Sequence, residues 1–316
     1  MASHDQIRRT IDDLLPETES FLRDLLRFPS TSGHEHQAMS FLDERLRQAG
    51  ATVERVALSN TLRQDPDYCD PVPDLEYDGR FNLRLVRRGT GGGRTLLLNT
   101  HIDVVPPSEG MDEPWAGRCE GGIVHGRGAC DAKGQVATIF LVLKTLDALG
   151  ARPAGDLIVH LVVEEENGGN GTLAMVRRGE RADGCIVMEP SDGRLFTSIR
   201  GAVWFRLTLK GRAGHSGQAG VTRSALLMAR DAIGVLERYH ADLLRRSRGF
   251  ELFDVYPNPM PITFGRLNAG NWPASAPSLA VVEGVLGLLP NMTKEQVCQE
   301  MAEALRNCGD DYLAGH

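Results

Sequence analysis

Between residues 81 and 188 the chain repeatedly switches hydrophobic rhythm, and this constrains its fold more than any other feature. Short apolar runs at 81–86, 95–98, 157–163 and 185–188 alternate with segments at about 134–149 and 171–178 whose apolar residues recur at helical spacing. Runs rich in β-branched residues that feed into helices imply an α/β layer with a mostly parallel sheet. The segment before them is helical as far as Gly50, with Leu22, Leu25 and Leu26 and then Phe41, Leu42 and Leu46 in phase. Gly50 is a natural helix stop. Residues 60–80 are polar and rich in Pro and Asp, so an ordered loop or flap is expected there.

From about Ser198 the rhythm changes. Residues 202–210 alternate as a strand, 222–240 form a long helical pattern, 261–267 and 279–288 read as strands, and 293–307 as a second helix. The order β-α-β-β-α is a ferredoxin-like (α+β) unit without its final strand. Two domains are therefore expected, 1–197 and 198–316, and 316 residues hold two comfortably.

Composition excludes several classes of function. The net charge is −7 and no basic stripe is present, so nothing in the electrostatics favours nucleic acid. The N-terminus lacks the apolar run of a signal peptide, and no stretch approaches the roughly 20 apolar residues of a membrane helix. Six scattered cysteines without a C-x-x-C pair read as reduced thiols. A soluble cytoplasmic protein is the expectation. No G-x-G-x-x-G or P-loop follows the early strands, which argues against a nucleotide-binding α/β protein.

The chemistry lies in four segments. His101 follows an apolar run, and Asp103, two residues on, falls on the same side of an extended backbone, where it could fix the imidazole tautomer. Taken alone, the pair also suits a surface turn. Asp131 ends Gly126-Arg-Gly128-Ala-Cys-Asp131 just before a helix, a position equally natural for an N-cap. Glu164, Glu165 and Glu166 follow a buried-looking run; three adjacent carboxylates repel unless cations neutralise them, although acidic runs are often merely solvated. Glu189 ends a fourth apolar run. Ligands in open α/β sheets gather beyond the carboxyl ends of strands, and one histidine with several carboxylates suits divalent cations, zinc foremost.

In this order the segments resemble the metallohydrolase family of acetylornithine deacetylase, succinyl-diaminopimelate desuccinylase, aminoacylase and glutamate carboxypeptidase. The matching patterns are H-x-D at 101–103, G-R-G-x-x-D-x-K-G at 126–134, E-E-x-G-G-x-G at 165–171, M-E-P at 188–190 and G-R-A-G-H-S at 211–216. The resemblance implies two divalent metal ions, zinc with cobalt or manganese as alternatives. Asp131 would bridge them, His101 and Glu189 would complete the first ion's ligands, and Glu166 would bind the second. Asp103 would orient His101, and Glu165 would be the general base; a shift of this assignment by one, to Glu164, stays open. His215 would reach from a lid domain into the partner subunit's active site of a homodimer and stabilise the oxyanion. The implied reaction removes an N-acyl group from an amino acid or cleaves a terminal peptide bond. Arg266, Asn268 and Asn271 lie in a Gly–Trp–Pro loop that could meet a substrate carboxylate or form a plain structural turn.

Two departures stand out. The family's K-G-G is Lys133-Gly134-Gln135 here. The family's chain also returns from the lid to the first domain and supplies a histidine to the second metal. Here it runs only to His316, where the lid's last strand is expected to begin. A truncated version of a longer enzyme, with an under-ligated second metal and impaired turnover, is the corresponding expectation.

Overall fold

The computed structural model describes residues 2–69, 75–215, 217 and 220–309. The chain divides into two compact units, Met1–Arg194 and Leu195–His316.

The first unit begins with α1 (His4–Leu26), opened by a capping box in which Ser3 and Gln6 satisfy each other's backbone N–H groups. Next come α2 (His36–Gln48), ended as expected at Gly50 in the left-handed region, and the strands β1 (Val53–Ala57), β2 (Phe81–Arg87) and β3 (Leu96–His101). A hairpin of β4 (Arg118–Glu120) and β5 (Ile123–His125) precedes α3 (Lys133–Ala148), β6 (Leu157–Val162), α4 (Asn170–Arg177) and β7 (Gly184–Val187). The sheet order is β1-β2-β6-β3-β7. β3 runs parallel to both β6 and β7, whereas β2 is antiparallel to β6 and to β1. Four of the five strands thus point the same way, and the mostly parallel expectation holds with β2 reversed.

All six residues of β6 are buried, which explains its unbroken apolar run: it is the central strand and is covered on both faces. The core joins Phe21 and Leu25 of α1, Met39, Leu42 and Leu46 of α2, and Ile139 and Phe140 of α3 to the sheet. Phe21 and Phe140 stack with ring centroids 4.3 Å apart and lock the two helices together.

The sequence reading did not anticipate β1 or the β4–β5 hairpin. β1 carries only two large apolar residues and lies at the sheet edge, so its periodicity is faint. The hairpin strands are three residues each, although Gly121-Gly122 between them is a turn signal.

The second unit contains β8 (Gly201–Lys210), the short β9 (Gly214–His215), α5 (Ala225–Arg246), β10 (Ile262–Ala269), the short β11 (Ser275–Ala276), β12 (Leu279–Leu288) and α6 (Lys294–Arg306). β12 lies between β10 and β8 and is antiparallel to both, the 2-3-1 order of a ferredoxin-like sheet. α5 runs six residues further than its apolar pattern suggested, through the charged Ala241–Arg246 segment. The expectation about the end of the lid falls on residues 310–316, outside the described residues.

Candidate metal centre

β6, β3 and β7 are parallel neighbours, so their carboxyl ends open at one edge of the sheet. Strands in a sheet lie about 4.8 Å apart. Side chains leaving those three ends therefore start within one ion's reach of each other. β3 ends in His101; Glu165 and Glu166 follow β6; Glu189 follows β7. The backbone fastens the last of these: Met188 N–H donates to the Asn99 carbonyl at 2.8 Å, and the Thr100 hydroxyl donates to the Met188 carbonyl at 3.0 Å. Asp131 arrives from the loop ahead of α3. That loop needs its glycine at Gly128, where φ is +87° and a Cβ would lie 2.7 Å from Val104.

His101 is buried, with 1% exposure, at the centre of the group. Its Nε2 lies 3.0 Å from Asp131 Oδ1, 3.7 Å from Glu189 Oε2 and 3.9 Å from Glu165 Oε2. Two sets of donor atoms, His101 with Glu165 and Glu189 and His101 with Asp131 and Glu166, each fall within 4.8 Å of one another. Ligands of a tetrahedral ion with bonds near 2.1 Å sit roughly 3.4 Å apart. The observed spacings straddle that value, so the donors fit a divalent cation. Both sets use His101, and no second histidine joins either of them among the described residues.

The electrostatics favour the same ligand class. Burial and the negative charge of Asp131 push the Glu166 carboxyl up to about 7. Burial, with Glu189 and Asp103 adding repulsion, raises Glu165 against the pull of His101. Burial alone would lower the imidazole's pKa, but hydrogen bonds with Asp103, Asp131 and Glu189 outweigh it and raise it. Carboxylates held above their usual range around one base attract either protons or cations.

Asp103 does more than the sequence suggested. The His101 Nδ1 partner is the backbone carbonyl of Asp103 at 2.9 Å, with the carboxylate further off at 3.5 Å. The fully buried Asp103 carboxylate instead accepts the backbone N–H groups of Glu165 and Glu166, both at 3.1 Å, and the Ser32 hydroxyl at 3.3 Å. Asp103 thus organises the acidic turn as well as the histidine.

The three consecutive glutamates are held differently. Glu164 is fully buried, its Oε1 accepts from Arg80 Nη1 at 3.0 Å, and it joins neither donor set. Two further groups escaped sequence reasoning. Lys133 is buried, donates from Nζ to the Leu25 and Phe28 carbonyls, and is pushed down to about 7 by burial; it ties the Asp131 loop to the end of α1. Asn170 clasps the backbone of Cys69 with both ends of its amide.

In the second unit, His215 is exposed on β9, pairs in register with Ser275 of β11, and accepts the Gly217 N–H at its Nδ1. Arg266 projects from β10 onto Glu283, which also binds Arg206, and Asn268 lies on the same strand. Asn271 is exposed in the following loop, next to exposed Trp272.

The sequence profile of peptidase family M20/M25/M40 matches residues 97–312, which includes every ligand candidate above. The chain belongs to this family. Its family relatives include a succinyl-diaminopimelate desuccinylase of Methylocella silvestris, 32% identical over 218 residues that cover 65% of this chain and 52% of the relative. A probable carboxypeptidase of Aspergillus terreus is 30% identical over 267 residues, 82% of this chain and 58% of the relative. The chain spans about half the length of the curated relatives it matches. Among solved structures, the di-peptidase Dug1p of Saccharomyces cerevisiae superposes with a TM-score of 0.76 at 18% identity, covering 95% of this chain and 75% of that one. Human carnosine dipeptidase 1 follows at 0.71 and 16%, covering 95% and 75%. At these identities the likeness establishes the shared fold. No helix among the described residues is long and apolar enough to cross a membrane.

Proposed function

We propose that the protein removes an N-acyl group from an amino acid, or cleaves a terminal peptide bond, at a centre of two divalent ions, zinc foremost. The observation that carries this reading is the convergence of Asp131, Glu165, Glu166 and Glu189 on His101. His101, Asp131 and Glu189 would hold one ion; Asp131 and Glu166 would hold the other. When bound, such ions polarise a carbonyl and make water a nucleophile near neutral pH.

The remaining work falls to the chain's own side chains. Glu165 accepts a proton from the attacking water and returns it to the departing amine nitrogen. This reading is supported by the position of its carboxylate, 3.9 Å from His101 Nε2, on a turn whose Glu165 N–H is held by Asp103. A general acid–base in this position contributes about 10²–10⁴ in rate. Asp103 keeps His101 and the acidic turn in register. His215 would supply a hydrogen bond to the developing oxyanion in a partner subunit of a homodimer. Arg266 and Asn271 would meet a substrate carboxylate, with Arg266 first having to exchange Glu283 for it. The two domains would be the catalytic unit to residue 197 and the lid unit from 198.

The test is turnover of a panel of N-acyl amino acids and dipeptides at saturating zinc, cobalt or manganese, with metal counted by mass spectrometry. Hydrolysis that disappears in Glu165→Gln supports the reading. No turnover of any panel member, by a chain that nevertheless binds two ions, would overturn the enzymatic assignment while leaving the metal centre standing.

A further inference from the structure

The acidic turn after β6 is gripped from two sides, and only one grip belongs to the chemistry so far described. Asp103 holds the N–H groups of Glu165 and Glu166. On the other side Arg80, only 9% exposed, divides its guanidinium between two carboxylates: Nη2 lies 2.7 Å from Glu35 Oε1, and Nη1 lies 3.0 Å from Glu164 Oε1. The ring of Tyr77 faces the same guanidinium at 5.3 Å. Glu35 in turn accepts the Gly33 N–H at 2.9 Å, so the arginine is braced against the loop leading into α2.

Two features show that this grouping is not ordinary stabilisation. First, Glu164 has a φ of +63°, in the left-handed region that a residue with a Cβ enters at a cost. Its carbonyl accepts the Gly169 N–H at 2.8 Å, which closes the loop behind Glu165 and Glu166. The turn that aims those two side chains therefore depends on the conformation of this one residue. Second, two buried carboxylates on one guanidinium leave a surplus negative charge, an arrangement that packed apolar side chains would match or exceed in stability. What the triad gives beyond stability is position.

We propose that Arg80 is a positioning residue for the metal centre: by clamping Glu164 in its left-handed conformation it fixes the turn that presents Glu165 and Glu166 to His101 and Asp131. This rests on the reading of those residues as metal ligands and general base. The clamp acts through backbone geometry, since Glu164 itself is outside both donor sets.

The experiment is a double-mutant cycle read by zinc affinity, using a competing fluorescent chelator, with the melting temperature of each protein recorded beside it. Arg80→Met lowers zinc affinity about 10–100-fold, the range for residues that orient metal ligands. Glycine adopts the left-handed region freely and brings no carboxylate to clamp. In a Glu164→Gly background the same Arg80→Met change therefore shifts zinc affinity by no more than about twofold, the scatter of independent sites. If Arg80→Met does not fold, Arg80→Lys replaces it in both backgrounds, because one ammonium cannot bridge two carboxylates as a planar fork does. An arginine variant with wild-type zinc affinity and only a lowered melting temperature overturns the inference. Equal losses in both backgrounds overturn it too. A wild-type chain that takes up no zinc overturns the metal-centre reading itself, and this inference with it.

Discussion

Replacing Asp103 with asparagine changes one oxygen for an NH2 group at the most connected buried side chain of the site. The carboxylate now accepts two backbone N–H groups, from Glu165 and Glu166, each at 3.1 Å, and a hydroxyl at 3.3 Å from Ser32. A carboxamide has a single acceptor oxygen. It can keep one N–H, and its NH2 then faces the other, donor against donor. One hydrogen bond to a charged group contributes about 1.5–3 kcal/mol, and a stranded buried N–H costs about 1–3 kcal/mol. Removing a negative charge beside other carboxylates relieves repulsion and offsets part of this, so a net cost of about 2–4 kcal/mol is expected. Much of it should appear at the centre, because the loosened turn carries Glu165 and Glu166. A 10–100-fold loss of zinc affinity corresponds to about 1.4–2.8 kcal/mol. Chelator competition and thermal melting of Asp103→Asn against wild type separate the two contributions. Zinc affinity within twofold of wild type together with an unchanged melting temperature would refute the reasoning that Asp103 organises the turn.

Three further outcomes follow from the geometry. Glu165→Gln should retain bound metal while kcat falls about 10²–10⁴, as measured on the best substrate of the panel; a small change would remove Glu165 from the proton transfer. Asp131→Asn should lower metal content more than Glu189→Gln does, because in the proposed centre Asp131 holds both ions and Glu189 only one; elemental analysis of the purified variants reports the ratio. The metal-free protein should become less stable as pH rises from about 4.5 to about 7. Glu166 is pushed up to about 7 in the folded chain, against 4.5 when unfolded, so folding retains a proton that the unfolded chain has already released. Melting curves in chelator across that window should show the decline, and saturating zinc should flatten or reverse it.

Much of this site can be read in the sequence because strand ends leave a one-dimensional trace. A buried parallel strand is an apolar run, and the residue where the run breaks into His or Glu is where the chain emerges at the sheet edge. This held for His101 after β3 and for the glutamates after β6 and β7. What the sequence could not carry is the direction of side chains within a turn. Three consecutive glutamates are chemically identical in the sequence, and only the left-handed φ of Glu164 turns one toward Arg80 and leaves two for the centre. Arg80 itself sits at the end of a polar, Pro- and Asp-rich stretch that reads as loop, and nothing local marks it as a buried cation. Asp103 shows a milder version: its spacing from His101 is visible, but its bonds to Glu165 and Glu166 join residues about sixty positions apart. β1 was missed because an edge strand needs few apolar residues, and the β4–β5 hairpin because three-residue strands show almost no periodicity.

The central claim is spatial, and anomalous diffraction from crystals grown with zinc tests it without recourse to activity. Data recorded on both sides of the zinc absorption edge should give difference peaks about 2.0–2.2 Å from His101 Nε2 and from carboxylate oxygens of Asp131, Glu166 and Glu189. Strong peaks elsewhere in the molecule, with none among these four side chains, would contradict the account.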